Sequence, residues 1–263
     1  MGVAEAMIYD CFTFFNELDV LEIRLEELYP VVDKFIILEA DMTFQGLFKK
    51  PFFGLESTRF EKYADKIEYY YEEMPRDFTD PWQREYWQRN RIKHILFRNH
   101  DPKPEDIVIL GDADEIPRRS AVEFALNGMD NFNVRSFALD AYYYGLNVSG
   151  GHCHTNRMAK WSYAKNMTMQ ELRTLDPPPN IVYDGGWHFS YLGDAEHIAN
   201  KFKAFAHAEL NRPDTTNVDT LRSRMENLGD LWGDGHVYER VEIDETWPEL
   251  VKTDRERWRK YEW

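Results

Sequence analysis

The sequence predicts an α/β fold in which a central, mostly parallel sheet is flanked by helices, with a smaller antiparallel portion in the second half. Three observations lead to this prediction. Apolar runs typical of strands alternate with helical patterns up to about residue 117, longer strand-like runs follow, and 263 residues with 43% hydrophobic content can bury one sizeable core. We therefore expect a single domain over residues 1–263.

The first half predicts the order strand, helix, strand, strand, helix, strand. Leucines three or four residues apart place one apolar face on the first helix, and Pro81 suits the first turn of the second. The second predicted strand, 31–39, is nearly all apolar, as a strand covered on both faces should be. The predicted strands are 7–12, 31–39, 66–71 and 106–110, and the predicted helices are 16–28 and 81–100.

The second half has a different pattern. It predicts longer, antiparallel strands at 132–146 and 151–163, two short strands at 181–183 and 187–191, and a helix at 194–209 with Asp194 as its N-cap. From Gly229 onward the sequence predicts a loop-rich tail.

The formal net charge of −15 disfavours nucleic acid and anionic membrane surfaces as partners. No apolar run reaches the roughly 20 residues of a membrane span, and the N-terminus lacks a signal-peptide pattern, so we expect a cytoplasmic chain. Cys11 and Cys153 are too few for a disulfide framework and are expected to be reduced thiols.

The strongest local signal is Asp112-Ala113-Asp114, which follows the apolar run 107–110 and Gly111. In open α/β sheets, ligands bind at the carboxyl ends of strands. Two carboxylates one residue apart can hold a hard divalent cation, Mn²⁺ or Mg²⁺, against a diphosphate and support its departure as a leaving group. The alternative is a solvated turn; the acid spacing of an EF-hand calcium loop is missing.

Basic and amide side chains gather on the second predicted helix. Arg84, Gln88 and Arg91 are four and three residues apart and can share one face, which could bind a diphosphate. The alternative is a surface helix whose arginines pair with neighbouring acids.

The segment around two glycines, Gly185 and Gly186, supplies further candidates. His188 could be a third metal ligand or a satisfied core histidine. Glu196 is not needed for capping, so it is the first candidate for a general base that accepts a hydroxyl proton, and Asp194 is the second.

Five blocks of this sequence occur in the same order in a known family: 9–25, 32–35 with 38–40, 88–90, 111–117 and 186–190. With these blocks the chain resembles glycosyltransferase family 17, which contains the β-1,4-mannosyl-glycoprotein 4-β-N-acetylglucosaminyltransferases. The similarity runs from about residue 7 to about residue 210, and the first and fourth blocks are specific.

The resemblance implies a GT-A type fold, a UDP-sugar donor with UDP-GlcNAc favoured, a divalent cation at Asp112 and Asp114, and transfer with inversion to a carbohydrate acceptor. It divides the chain into a nucleotide-sugar-binding half, about 1–117, and an acceptor-binding half with the tail, about 118–263. The membrane anchor of the animal members has no counterpart in this sequence, so their Golgi setting and N-glycan acceptor are not carried over.

The resulting hypothesis is a single in-line displacement in which Glu196 or Asp194 deprotonates the acceptor hydroxyl. The residues expected to hold the nucleoside diphosphate are Asp10, Phe12, Glu39, Arg89, Asn90 and Asp112. Two other classes stay open: a metal-dependent phosphoryl-transfer or hydrolytic enzyme that uses the same acids, and a non-catalytic glycan-binding relative.

Overall fold

A computed structural model describes residues 6–263. Within that range ten strands form one sheet, in the order β10-β7-β6-β8-β4-β1-β2-β3, and β9 joins β5 to β6. The strands are β1 Ile8–Phe14, β2 Lys34–Ala40, β3 Ile67–Glu72, β4 Ile107–Asp112, β5 Glu115–Pro117, β6 Val134–Tyr143, β7 Val148–Cys153, β8 Arg157–Lys160, β9 Ile181–Ser190 and β10 Glu239–Arg240.

The helices lie between these strands and in the C-terminal third. They are α1 Leu18–Leu28, α2 Phe52–Glu56, α3 Pro81–Ile95, α4 Arg119–Asn127, α5 Trp161–Ala164, α6 Met169–Arg173, α7 Ala195–Phe202, α8 Pro213–Thr216, α9 Val218–Glu226, α10 Glu249–Thr253 and α11 Arg255–Trp258. Three 3-10 turns and one π turn complete them: Ser57–Tyr63, Ala208–Leu210, Arg259–Tyr261 and Leu96–His100. Along the described residues no helix is both long and apolar enough to cross a bilayer.

The predicted α/β class is confirmed. Strands β3, β2, β1 and β4 are parallel neighbours, and β1 and β2 are apolar and largely buried because helices cover both faces. The second half adds the expected antiparallel pairs, β4 with β8 and β6 with β7 and β8. One pairing differs from expectation, since β6 runs parallel to β9.

Two predicted strand boundaries in the second half are wrong. The strands expected at 181–183 and 187–191 are the single strand β9, because its two glycines allow close packing of backbones. A Cβ on Gly185 would lie 2.7 Å from the Ala138 carbonyl oxygen, and one on Gly186 would lie 2.1 Å from that of Ile116. The strand expected at 151–163 is divided between β7, β8 and the short helix α5.

The helix starts follow their capping chemistry. Asp80 caps α3, where its carboxylate accepts a hydrogen bond from the Trp82 backbone N–H at 3.0 Å, with Pro81 in the first turn. Asp194 caps α7 as predicted, accepting from the His197 N–H at 2.8 Å. α7 ends at Phe202 instead of residue 209, and Phe202 then stacks on Tyr191.

The C-terminal segment is packed into the molecule, more than its loop-rich sequence predicts. Trp247, Val251 and Trp258 are buried in one apolar cluster with Val20 and Ile23 of α1. Trp263 is bound by the side chain of Asn147. The Asn147 amide nitrogen donates to the Trp263 carbonyl at 3.1 Å, and the Asn147 side-chain oxygen accepts from the Trp263 N–H at 2.9 Å. The tail therefore belongs to the same core as the sheet.

Candidate functional site

A cavity of about 400 Å³ opens at the carboxyl edge of the parallel strands. Strands β1 and β4 end there side by side, with Thr13 opposite Asp112 in register. Both acids of the Asp112-Ala113-Asp114 motif line its wall, as do Arg89 and His188. Four of the residues predicted from sequence to form a site are thus brought together.

Asp112 lies between two arginines. Its Oδ1 accepts a hydrogen bond from Arg89 of α3 at 3.0 Å, and its Oδ2 accepts one from Arg173 of α6 at 2.7 Å. A third of the Asp112 side chain is exposed to the cavity. The carboxylate is therefore held in place and still faces a ligand.

Asp114 is paired with a lysine and a histidine. Its Oδ2 lies 3.1 Å from Lys201 Nζ and its Oδ1 lies 3.6 Å from His188 Nε2. Burial alone would raise the pKa of Asp114, but the charges of Lys201 and His188 outweigh it and hold that pKa well below its usual range. The pairing with Lys201 and His188 thus favours the ionised form of Asp114.

Glu115 forms the floor behind the pair. It accepts hydrogen bonds from both terminal nitrogens of Arg173, at 2.6 and 2.8 Å, and from the Thr155 hydroxyl. Burial would raise its pKa, but the charges of Arg173 and His188 outweigh burial and lower the pKa to about 2. Arg173 therefore binds two acids at once, Glu115 and Asp112.

The cavity is nearly neutral, unlike the chain as a whole. Its lining includes five carboxylates and four Lys or Arg side chains, whereas the net charge of the protein is −15. An aromatic rim adds Trp82, whose ring meets His207 edge-on at 4.6 Å. Such a cavity can accept an anionic ligand that the rest of the surface would repel.

Asp10 and Phe12 lie beneath the cavity and not on its wall. Both are fully buried; Asp10 accepts two hydrogen bonds from Arg24, at 2.7 and 2.6 Å, and Phe12 lies under the Arg24 guanidinium. Arg24 in turn donates to the carbonyls of Asp112 and Glu115, at 3.0 and 2.6 Å. Their predicted contact with a nucleotide is not supported by this placement; they position the acidic turn through Arg24.

Glu39 and Asn90 also act through another group. Glu39 is fully buried and binds Lys49, which lines the cavity, at 2.7 Å. Asn90 accepts from the Gln170 backbone N–H at 3.0 Å and so holds α6, the helix that carries Arg173. Both side chains support the wall and neither is among its lining residues.

The two predicted bases have different surroundings. Glu196 is mostly exposed and pairs with Arg222 at 2.9 Å, outside the cavity lining. Asp194 lines a second cavity of about 400 Å³. Glu17 lines both cavities and lies 3.4 Å from Lys201, so the two spaces meet at this residue.

The most important residues that sequence reasoning missed are Arg173 and Lys201, which come from elements far along the chain from the acidic motif. Of the predicted polar face of α3, Gln88 lines the cavity, whereas Arg84 and Arg91 do not. Arg84 donates to the Phe44 carbonyl and Arg91 pairs with Glu72, so Arg89 is the α3 arginine that reaches the acids.

The donor set fits a hard divalent cation. Asp112 and Asp114 present oxygen ligands to the cavity, as Mn²⁺ and Mg²⁺ prefer. An ionised carboxylate has about four acceptor positions on its two oxygens, and each Asp112 oxygen accepts one arginine hydrogen bond. Each Asp112 oxygen therefore has an acceptor position left for a cation beside its arginine partner.

The family model of glycosyltransferase family 17 matches residues 3–234. The family model defines the class of the protein, which is a glycosyltransferase domain with the α/β fold described above. The chain belongs to glycosyltransferase family 17.

Over 114 residues the chain is 32% identical to the human β-1,4-mannosyl-glycoprotein 4-β-N-acetylglucosaminyltransferase and 31% identical to the mouse protein of that name. The matches cover 41% of this chain and 21% of each relative, so the chain spans about a fifth of the length of these relatives. Among solved structures, 4-diphosphocytidyl-2C-methyl-D-erythritol synthase is similar with a TM-score of 0.44 and 9% identity, over 73% of this chain and 91% of that one. The 1–349 portion of S. aureus TarS has a TM-score of 0.38 and 11% identity, over 84% and 72%.

Proposed function

We propose that this protein is an inverting, metal-dependent glycosyltransferase that moves GlcNAc from UDP-GlcNAc to a hydroxyl of a glycan. The observation that carries the proposal is the pair Asp112 and Asp114 at the carboxyl end of β4, on the wall of a cavity that also holds Arg173 and Lys201. Family membership supports sugar transfer. The choice of GlcNAc follows the name of the relatives.

The donor would occupy the first cavity. Its diphosphate would lie near Arg89, Arg173 and Lys201, and its uridine would lie toward Phe15 and Trp82, in the half formed by about 1–117. A Mn²⁺ or Mg²⁺ ion on Asp112 and Asp114 would neutralise the diphosphate as it leaves. Arg89 and Arg173 each donate a hydrogen bond to the Asp112 carboxylate, which would keep it in one orientation beside the ion.

The acceptor would enter through the second cavity, in the half formed by about 118–263. We assign the base to Asp194, which lines that cavity, in preference to Glu196, which is paired with Arg222. The second oxygen of Asp194 is the one available for a hydroxyl proton, because Oδ1 caps α7. In this proposal His188 stays paired with Asp114 and does not bind the donor's cation.

A thermal-shift panel of nucleotide sugars, with and without Mn²⁺, tests the donor. UDP-GlcNAc should raise the melting temperature, since a ligand at 100 times its Kd stabilises by about 2.7 kcal/mol. The shift should depend on the ion. A panel in which no nucleotide sugar stabilises the protein under either condition would contradict the proposal.

Asp112→Asn tests the metal site. The variant keeps the size of the side chain but should lose transfer on the order of 100-fold or more, because several kcal/mol of charge stabilisation are lost. Asp130→Asn, an exposed aspartate after α4, is the matched control and should be as active as wild type. Full turnover of the wild-type protein in EDTA, or full turnover of Asp112→Asn, would contradict the proposal that transfer depends on a metal ion.

Asp194→Asn tests the base. Asparagine also caps helices, so the fold should be kept and UDP binding retained, while transfer should fall about 10²–10⁴-fold. Glu196→Gln, two residues along, is the comparison and should keep most of its activity. Loss of transfer in Glu196→Gln alone would return the role to Glu196.

A hydrolytic or phosphoryl-transfer enzyme is the second candidate, favoured by the same acidic wall. Incubation with generic phosphate esters separates the two functions. Turnover of these esters with no transfer from any UDP-sugar would support the second candidate.

A further inference from the structure

Three side chains of different chemistry converge on the cavity floor beside the acidic pair. They are the Cys153 thiol at the end of β7, the His188 imidazole of β9 and the Glu115 carboxylate of β5. One ligand atom from each lies within 4.8 Å of the others. Strands β5 and β9 pair Glu115 directly with His188, so the sheet itself fixes this arrangement.

The spacing of sulfur and nitrogen matches a tetrahedral metal site. Cys153 Sγ lies 3.5 Å from His188 Nδ1. Zinc bonds of about 2.3 Å to sulfur and about 2.0–2.1 Å to nitrogen, at a tetrahedral angle, place those two atoms roughly 3.5 Å apart. The separation of these two atoms is therefore the one that such an ion requires.

The second nitrogen of His188 is already oriented. Its Nε2 faces Asp114 Oδ1 at 3.6 Å, which leaves Nδ1 directed at Cys153. A histidine that binds metal through one nitrogen and a carboxylate through the other is the usual arrangement in zinc proteins. Glu115 would supply a third ligand. Its Oε1 already accepts hydrogen bonds from Arg173 and Thr155 and its Oε2 accepts them from Arg173 and the Asp112 N–H, so the ion would displace one of these donors.

We propose that Cys153, His188 and Glu115 form a binding site for one thiophilic divalent cation such as Zn²⁺. The fourth coordination position of the ion would be open to the cavity. The site is distinct from that of the hard cation on Asp112 and Asp114, because a thiolate ligand selects zinc over magnesium or manganese. It does not depend on which sugar or phosphate compound the protein uses. Zinc bound there would occupy the cavity floor and lower the turnover of any substrate that lies against it.

Cobalt substitution tests the site directly. Co²⁺ added to the full chain should give one equivalent of a species with a thiolate-to-cobalt charge-transfer band in the near ultraviolet. Cys153→Ala should lose the band, and Cys11→Ala, the matched control at the fully buried cysteine, should keep it. A spectrum without the band in wild type, or a band that survives Cys153→Ala, would overturn the proposal.

A second measurement uses the wild-type chain alone. Zn²⁺ should slow the alkylation of Cys153 by iodoacetamide at least tenfold, whereas Mg²⁺ should not, and peptide mass spectrometry separates Cys153 from Cys11. Equal alkylation with and without zinc would show that the Cys153–His188 contact is a hydrogen bond and nothing more. This result stands even if Cys153→Ala fails to fold.

Discussion

At the scale of single residues, Lys201 joins parts of the site that are distant in sequence. Its Nζ lies 3.1 Å from Asp114 and 3.4 Å from Glu17. Burial alone would lower the pKa of Lys201, but the charges of Asp114 and Glu17 outweigh burial and raise that pKa. One cation thus pairs with an acid of the proposed metal pair and with the acid that lines both cavities.

Lys201→Met should destabilise the protein. The methionine can fill much of the same space, but Asp114 and Glu17 lose their shared cation, at a cost of about 3 kcal/mol. Urea unfolding at pH 7 measures the change. Lys203→Met, at an exposed position just beyond α7, is the control, and equal midpoints for the two variants would contradict the prediction.

The residues that sequence could identify are those with a local signal. Asp112 and Asp114 follow a buried apolar strand, so the edge of the sheet at which they lie was predictable. Arg173 and Lys201 reach the same acids from 61 and 87 residues away, and nothing in their immediate sequence indicates this. Asp10 is on β1, whose carboxyl end reaches the cavity, but its side chain lies beneath the cavity wall because Arg24 covers it.

At the scale of elements, α6 has a large effect for its size. This five-residue helix carries Arg173 and begins with a capping box, in which Thr168 accepts from the Glu171 N–H at 3.1 Å and Glu171 accepts from the Thr168 N–H at 2.7 Å. So short a helix depends on such caps and on packing. The position of Arg173 against Asp112 depends in turn on the helix.

Thr168→Ala should lower the free energy of unfolding by about 1 kcal/mol, because the first turn of α6 loses its cap. The urea midpoint should fall at an unchanged slope. Thr58→Ala, an exposed threonine in a 3-10 turn, should change little. A Thr168→Ala midpoint equal to that of Thr58→Ala would mean that packing alone forms α6.

The elements predicted well are those with a long, regular pattern. The strand before the acidic motif and the helix that starts at Pro81 carry their own signals in apolar run and cap. Strand β9 was divided in the prediction because Gly185 and Gly186 usually mark a break. The reason for these glycines is the close approach of the β5 and β6 backbones. That approach cannot be read from the spacing of residues in the sequence.

At the scale of the whole molecule, charged pairs connect α1 to the C-terminal segment. Glu22 binds Arg257 and Arg59, and Asp19 binds Lys260 and the Tyr261 hydroxyl. These contacts lie beside the apolar cluster of Trp258. The sequence did not predict them, because more than 230 residues separate the partners.

Acid should weaken this connection. Burial would raise the pKa values of Asp19 and Glu22, but hydrogen bonds from Lys260 and Arg257 outweigh it and lower both below their usual 3.8 and 4.5. A group with a lowered folded pKa stabilises above its unfolded pKa and loses that contribution as pH falls further. Urea midpoints should therefore be steady from pH 7 to about 5 and fall below about 4.5.

The double variant Asp19→Asn with Glu22→Gln isolates this contribution. It should be less stable than wild type at pH 7 and should lose less between pH 5 and 2.5, since two of the titrating carboxylates are gone. Asp219→Asn, at a highly exposed position, should follow the wild-type profile. Parallel acid profiles for the double variant and wild type would place the titrating groups elsewhere.

The docking of Trp263 on Asn147 limits how this chain could be modified. Asn147-Val148-Ser149 has the form of an acceptor for N-linked oligosaccharide, yet Asn147 is buried and both polar atoms of its side chain bind the final residue. A eukaryotic host that exported the chain could attach an oligosaccharide there only before Trp263 docks on Asn147. Molecules so modified would be unable to seat Trp263 against Tyr144 and would be held short of the native state.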